Sequence, residues 1–253
     1  MKTWELTLGV ALLVILSLMC WCSNVEYLKP KSNPTPYANV MQTHYAPERI
    51  PNKVEENWRK YAKNVNRQVF DDTQCKSFLK THYGQWAADR FDAISKGAHK
   101  ADMFRYAWLY KMGGIYADIK TILLADIQTI FSDPKLCYLI ITKGTNRIYN
   151  GIIATPPNNP LMYKLFMGAT TVKNDSIHNY NVLQGFEILG SQVMDKPVSG
   201  FNKTVSSVPD VYLFEEQWMD LKNCDAPDRY GLCMFVRDES RNLFKVRYSD
   251  YPW

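Results

Sequence analysis

Asp102 and Arg105 stand three residues apart in the segment KADMFRYAWLYKM, so on a helix both project from one side. Asp118 and Lys120 follow beyond the pair Gly113 and Gly114, at the charged end of the short apolar run 115–119. A helix, a strand and then a charged strand end is the usual arrangement of an α/β ligand site, which opens in the crevice outside the carboxyl ends of the strands. The competing reading of Asp102 and Arg105 is a surface salt bridge, a contact that contributes only about 0–1 kcal/mol.

These side chains need elements to hold them. Ala101, Phe104, Trp108 and Met112 recur three or four apart, which predicts a helix with a buried stripe, stopped by the two glycines. Upstream, 40–45 reads as a short strand. Val54, Trp58, Tyr61 and Val65 form one helical face, and 68–70 is a brief strand-like run. Asp72 or Thr73 can cap the next helix, whose apolar face includes Phe78 and Leu79 and whose end is marked by Gly84. A further short helix covers 86–94. Downstream, 137–142 is rich in β-formers, Pro156, Pro157 and Pro160 make a sharp connection, and 161–171 reads as helix. Strands interleaved with helices predict an α/β sandwich. No internal repeat or second linker interrupts 39–253, which reads as one domain.

Composition narrows the function classes. Hydrophobic residues at 46% and charged residues at 22% are near the globular average, which argues against disorder and coiled coil. A mean hydropathy of −0.31 excludes a polytopic membrane protein. The net charge of +5 is mild and its lysines and arginines are interspersed with acids, so no nucleic-acid stripe is indicated. Sixteen Tyr and seven Trp supply flat faces with polar tips, suited to ring-shaped ligands and equally to an aromatic core. The N-terminus differs from the rest. Residues 6–22 carry no charge and end in Met19, Cys20, Trp21 and Cys22, a poor cleavage site, which favours an uncleaved membrane anchor over 1–24 above a signal peptide. Pro30, Pro34 and Pro36 then make 25–38 an extended stalk. Of the cysteines in the domain, none has zinc-site spacing; Cys224 and Cys233 are close enough to close a small loop, and four unpaired core thiols is the other reading.

The run AHKADMFRYAWLYKMGGIYADIKT resembles the core motif of glycosyltransferase family 32, the DXD-containing sugar transferases that include yeast Golgi mannosyltransferases and lactosylceramide α-galactosyltransferases. In outline the family pattern is K-A/S-D-x-x-R-Y-x-x-L-Y-x-x-G-G-x-Y-x-D-x-D. This chain matches it at Lys100, Ala101, Asp102, Arg105, Tyr106, Leu109, Tyr110, Gly113, Gly114, Tyr116 and Asp118. Weaker similarity extends to MQTHYAPERIP and the helices after it, and to NGIIATPPNNPLM. The resemblance implies a GT-A-like fold, a Rossmann-like nucleotide-sugar-binding sandwich, over 39–253. It implies transfer of a hexose, with retention, from a nucleotide diphosphate sugar to a glycan or glycolipid acceptor. It also implies single-pass type II topology in the Golgi or an equivalent endomembrane. Asp102 and Arg105 would hold the donor sugar's hydroxyls, Tyr116 and Asp118 would face the ribose, diphosphate and metal, and Asn150 and Gly151 would line the sugar pocket. Asp118 and Lys120 would stand at the reacting end.

Lys120 departs from the pattern. In the family a second Asp stands there and ligates Mn²⁺ or Mg²⁺ directly. Exchanging it for Lys moves the local charge by two units, and each unit at about 4 Å is worth roughly 4 kcal/mol at an effective dielectric of about 20. Three outcomes follow. Lys120 neutralises the diphosphate itself in a metal-independent reaction; or it turns aside while Asp118 and the donor phosphates hold the metal; or the domain binds sugar nucleotides without turnover. An ion pair of Lys120 with Asp118 or Asp126 is the purely structural reading. The family's Thr-Gly-Pro loop is matched only at Gly190, and the chain ends in RYSDYPW without the family's His.

Overall fold

Strand alternation builds two cores on one sheet. Val40, Ile115, Ile140 and Ile152 point into one core with Trp58 and Phe131. Their neighbours Met41, Tyr116, Leu139 and Ile153 point into the other with Leu79, Phe91, Phe104 and Phe166. Such alternation is the period-two pattern of strands buried on both faces. The computed structural model describes residues 37–142, 148–171, 203–204, 211–219, 233–238 and 241–246, all within the unit Pro36–Trp253.

The N-terminal half runs β1 (Asn39–Thr43), α1 (Asn52–Tyr61), β2 (Asn66–Phe70), α2 (Asp72–Tyr83), α3 (Gln85–Asp92), α4 (Gly97–Met112) and β3 (Gly114–Ala117). There follow β4 (Ile122–Leu123), α5 (Ile127–Ile130), β5 (Cys137–Thr142), β6 (Ile148–Thr155) and α6 (Pro160–Thr171). Then come β7 (Lys203–Thr204), β8 (Val211–Met219), β9 (Cys233–Asp238) and β10 (Arg241–Lys245). The sheet order is β2-β1-β3-β6-β5-β8-β9-β10-β4, with β7 on β8. β1 is parallel to β2 and β3, and β5 to β8, while β6 runs antiparallel between β3 and β5. The α/β sandwich expected from the sequence is therefore present, as a mixed sheet with helices against it.

Several expectations are corrected locally. α2 is capped by Asp71, whose carboxylate accepts from Gln74 N at 2.7 Å while Gln74 Oε1 accepts from Asp71 N at 3.0 Å, a reciprocal box that leaves Asp72 and Thr73 inside the helix. α4 has no single buried stripe. Every residue from Asp102 to Leu109 is buried, because neighbouring helices and the sheet enclose it, whereas Met112 in its last turn is 46% exposed. β3 ends at Ala117, and Asp118 lies in a turn closed by Thr121 N on Asp118 O at 2.9 Å. Gly113 and Gly114 join α4 to β3 with φ of +63° and +107°. A Cβ on Gly114 would sit 2.6 Å from Asn39 O and one on Gly113 2.6 Å from Pro157 N, so glycine is required at both. Tyr37, in the expected stalk, is buried against Phe131 and Tyr138 and donates to Leu136 O, so the packed domain includes it.

The expected anchor and nearly all of the stalk lie outside the described residues, as do Gly190, Cys224 and the chain end. Among the described residues no helix is long and apolar enough to cross a membrane. Cys75 and Cys137 are free thiols and Cys233 is in a disulfide.

Candidate active site

The crevice beyond the ends of β1 and β3 is a cavity of about 450 Å³, walled on one side by the start of α4. Six of the seven expected site residues line it: Asp102, Arg105, Tyr116, Asp118, Lys120 and Asn150. Asp102 and Arg105 are 6% and 4% exposed, which excludes a surface salt bridge.

Arg105 is the hub. Its Nη2 lies 3.1 Å from Asp102 Oδ1 and 3.5 Å from Asp118 Oδ1. Nη1 donates to the Asn150 carbonyl, Nε donates to Ala101 O at 3.4 Å, and the guanidinium carbon sits 4.1 Å from the centre of the Tyr116 ring. Burial works against its charge, but Tyr116, Asp102 and Asp118 more than offset this, so Arg105 holds its proton more firmly than usual. Burial pushes the Asp102 carboxyl above the ordinary range, opposed by Arg105 and by Asn150, whose Nδ2 donates to Oδ1 at 2.9 Å. Asn150 Nδ2 also reaches Tyr106 Oη at 3.2 Å.

Asp118 is fixed from several sides. The Tyr116 hydroxyl donates to its Oδ1 at 2.7 Å, and Lys120 Nζ stands 3.8 Å from its Oδ2. Its backbone N–H donates to Gly151 O at 2.7 Å, and Gln42 Nε2 donates to Ala117 O at 3.1 Å and to Asp118 O at 3.3 Å. Gln42 is itself held by Arg67, which forms a two-pronged pair with Glu55 at 2.6 and 3.0 Å. The backbone contacts fix the turn, while the carboxylate's two oxygens face Tyr116 and Lys120 respectively.

Gly151 is the exception among the expected residues. It does not line the cavity; a Cβ there would meet Tyr149 Oη at 2.2 Å and Asp118 Oδ2 at 2.8 Å, so its role is to let that ring and that carboxylate close over the strand. The sequence reading missed Tyr149 and Glu216. Glu216 lies on β8 opposite Thr142, is 3% exposed, and accepts from Thr142 Oγ1 at 2.6 Å through Oε2. Its Oε1, like Tyr149 Oη, has no hydrogen-bond partner among the described residues. Burial raises both groups' pKa, and Asp118 and Glu216 are the charges that raise that of Tyr149 further. The signal for Glu216 was an acidic pair inside the apolar run VYLFEEQWM. The cavity also reaches Thr43 at the end of β1 and His44 and Tyr45 after it, where Tyr45 is 72% exposed and stacks on His44 at 4.7 Å. Among the described residues no three His, Cys, Asp or Glu side chains converge to hold a metal ion.

The family model and the sequence relatives agree with the sequence resemblance. A family model described as the glycosyltransferase sugar-binding region containing the DXD motif matches residues 47–137. A protein of Acanthamoeba polyphaga mimivirus, described as an uncharacterized glycosyltransferase, is 25% identical over 182 residues, covering 70% of this chain and 72% of its own length. The initiation-specific alpha-1,6-mannosyltransferase of Candida albicans is 28% identical over 106 residues, which cover 41% of this chain and 27% of that protein. A solved structure titled PaToxG glycosyltransferase superposes with a TM-score of 0.47 at 18% identity, covering 62% of this chain and 69% of that one.

Proposed function

We propose that this chain, similar over residues 47–137 to the glycosyltransferase sugar-binding region containing the DXD motif, moves a hexose from a nucleotide diphosphate sugar, bound in the cavity between α4 and β3, to a glycan or glycolipid acceptor. One observation carries the assignment: Asp102 and Asp118, sixteen residues apart in sequence, are drawn to one guanidinium on the wall of one crevice. The domain is read as GT-A-like and the transfer as retaining. The support is the motif resemblance together with the mixed sheet and a crevice at its parallel strand ends.

Asp102 and Asn150 bind the donor sugar's hydroxyls, since both face the cavity and are oriented by hydrogen bonds from behind. Arg105 organises them. Four of its five N–H donors face Asp102, Asp118, Asn150 and Ala101, so it acts on the sugar chiefly through its neighbours. Tyr116 and Asp118 face the ribose and diphosphate. The exposed, stacked ring of Tyr45 at the far end suits the flat face of a nucleobase. Breaking the glycosidic bond places negative charge on the departing diphosphate, and fixed groups aimed at that charge lower the barrier because they need no reorganisation. Attachment to a Golgi-type endomembrane through residues 6–22 belongs to the same reading and is supported by that uncharged run alone; recovery of the full chain in the soluble fraction of carbonate-washed membranes would contradict it.

The test is binding and turnover of UDP- and GDP-sugars by the wild type and by Asp118→Ala. The wild type is expected to bind at least one and release its sugar; the variant, which loses the carboxylate that orients Arg105 and Lys120, should bind weakly and turn over about 100-fold more slowly, the scale of misplacing a catalytic group by about 1 Å. Unchanged turnover in Asp118→Ala would remove the site assignment.

A further inference from the structure

The residues around Asp118 do not suit a resident dication. Asp118 Oδ1 already takes the Tyr116 hydroxyl and faces Arg105, and Oδ2 faces the Lys120 ammonium at 3.8 Å. A divalent ion on that carboxylate would sit beside a fixed positive charge, on a side chain that lines the cavity and is 23% exposed. The charge count points the same way. Histidines aside, the lining carries Lys100, Arg105 and Lys120 against Asp72, Asp102 and Asp118, so it is neutral. With an Asp at position 120 the same lining would hold two cations against four anions, a deficit of two that one dication cancels. Lys100 is committed to Asp72 at 2.7 Å and Arg105 to Asp102 at 3.1 Å. Lys120 lines the same cavity beside Asp118. Glu216, buried on β8 with Oε1 unpartnered among the described residues, is a further carboxylate on which the Lys120 charge acts.

We propose that Lys120 is the cation of this site: its ammonium stands in for the divalent metal and stabilises the departing nucleoside diphosphate, so that transfer needs neither Mn²⁺ nor Mg²⁺. The inference rests on the nucleotide-sugar reading above. In the step, the bond from sugar C1 to the β-phosphate oxygen breaks and its electron pair stays on that oxygen. The acceptor hydroxyl oxygen bonds to C1, and its proton passes to the released diphosphate. Lys120 supplies charge only and takes no part in the proton transfer.

Two measurements on the full chain test this. Calorimetry with UDP and GDP, and turnover of the matching nucleotide sugars, are run in EDTA and in Mn²⁺ for the wild type, Lys120→Ala, Lys120→Arg and Lys120→Asp. Wild-type affinity and turnover are expected to agree within about twofold in the two buffers. Lys120→Ala should lose about 100-fold in kcat/KM, the scale seen when one preorganised donor is removed, and Lys120→Arg should retain most of it. Lys120→Asp should be near inactive in EDTA and regain nucleotide binding with Mn²⁺. Wild-type binding that disappears in EDTA and returns with Mn²⁺ overturns this inference alone, as does unchanged turnover in Lys120→Ala. Failure of every nucleotide to bind in both buffers overturns the donor reading and the inference with it.

Discussion

Arg105 Nη2 and Asp118 Oδ1 lie 3.5 Å apart, joining the middle of α4 to the turn after β3. The same nitrogen holds Asp102 at 3.1 Å, so one buried cation serves two carboxylates. Removing one partner of a buried pair leaves an uncompensated charge, at a cost of about 3–5 kcal/mol. Arg105→Ala is therefore expected to lower the unfolding free energy by that amount in urea denaturation. Arg105→Lys, which keeps the charge without the planar fork, should recover only part of it. An unchanged urea midpoint in Arg105→Ala would show that the pair is not what fixes α4 to the sheet.

Gly151 and Gly168 make a matched pair of alanine substitutions. At Gly151 a Cβ meets Tyr149 Oη at 2.2 Å and Asp118 Oδ2 at 2.8 Å, whereas at Gly168, inside α6, nothing lies within 4 Å. Gly151→Ala should push Tyr149 and Asp118 aside and cut kcat/KM at least tenfold, about 1.4 kcal/mol in the barrier. Gly168→Ala should leave kinetics unchanged and stabilise the helix by roughly 0.5–1 kcal/mol. Equal kinetics for both variants would mean that the Asp118 position is not set by this close approach.

Glu216 makes stability depend on pH in a definite direction. Burial raises its folded pKa above the ordinary 4.5, with Thr142 and Lys120 pulling back. The folded state therefore holds a proton that the unfolded state has released, and stability is lost as pH rises from about 4.5 through the folded pKa. Glu216→Gln removes that loss. Its Tm should match the wild type near pH 4 and exceed it increasingly at higher pH, by about 2–4 °C for each kcal/mol in a domain of this size. A pH-independent offset would contradict the assignment.

Burial also pushes the Cys137 thiol up to about 12, eased by Thr155 and Asn159. Cys75, 2% exposed, is raised too, chiefly by burial. Thiolate is the reactive form. Native protein in iodoacetamide at pH 8 should show both unmodified by mass spectrometry and both carbamidomethylated after unfolding. Rapid native labelling of Cys137 would mean that β5 opens readily.

The legible parts of this protein were those written in local spacing. Gly113 and Gly114 announce the stop of α4 because their backbone angles and close contacts tolerate no side chain, and the residues 137–142 read as a strand because they are buried on both faces. The motif placed Asp102, Arg105, Tyr116, Asp118 and Lys120, and they converge. What spacing could not carry was burial on every side: α4 carries its charged pair inside the domain, and the single stripe ending at Met112 fails for that reason. Nor could it show contacts made by sheet order. Tyr149 comes beside Asp118 because β6 pairs with β3, and Glu216 comes within reach of Tyr149 and Lys120 because β8 follows β5 in the sheet, and Gly151 matters through what it leaves room for.

The most direct test of the central claim is calorimetric titration of the wild-type chain with UDP and GDP in EDTA, repeated with Asp118→Ala and Lys120→Ala. Saturable binding of one nucleotide to the wild type without metal, weakened at least tenfold in Lys120→Ala, is the result expected of a donor site whose cation is Lys120. Binding that appears only when Mn²⁺ is added, with Lys120→Ala as tight as the wild type, would contradict it.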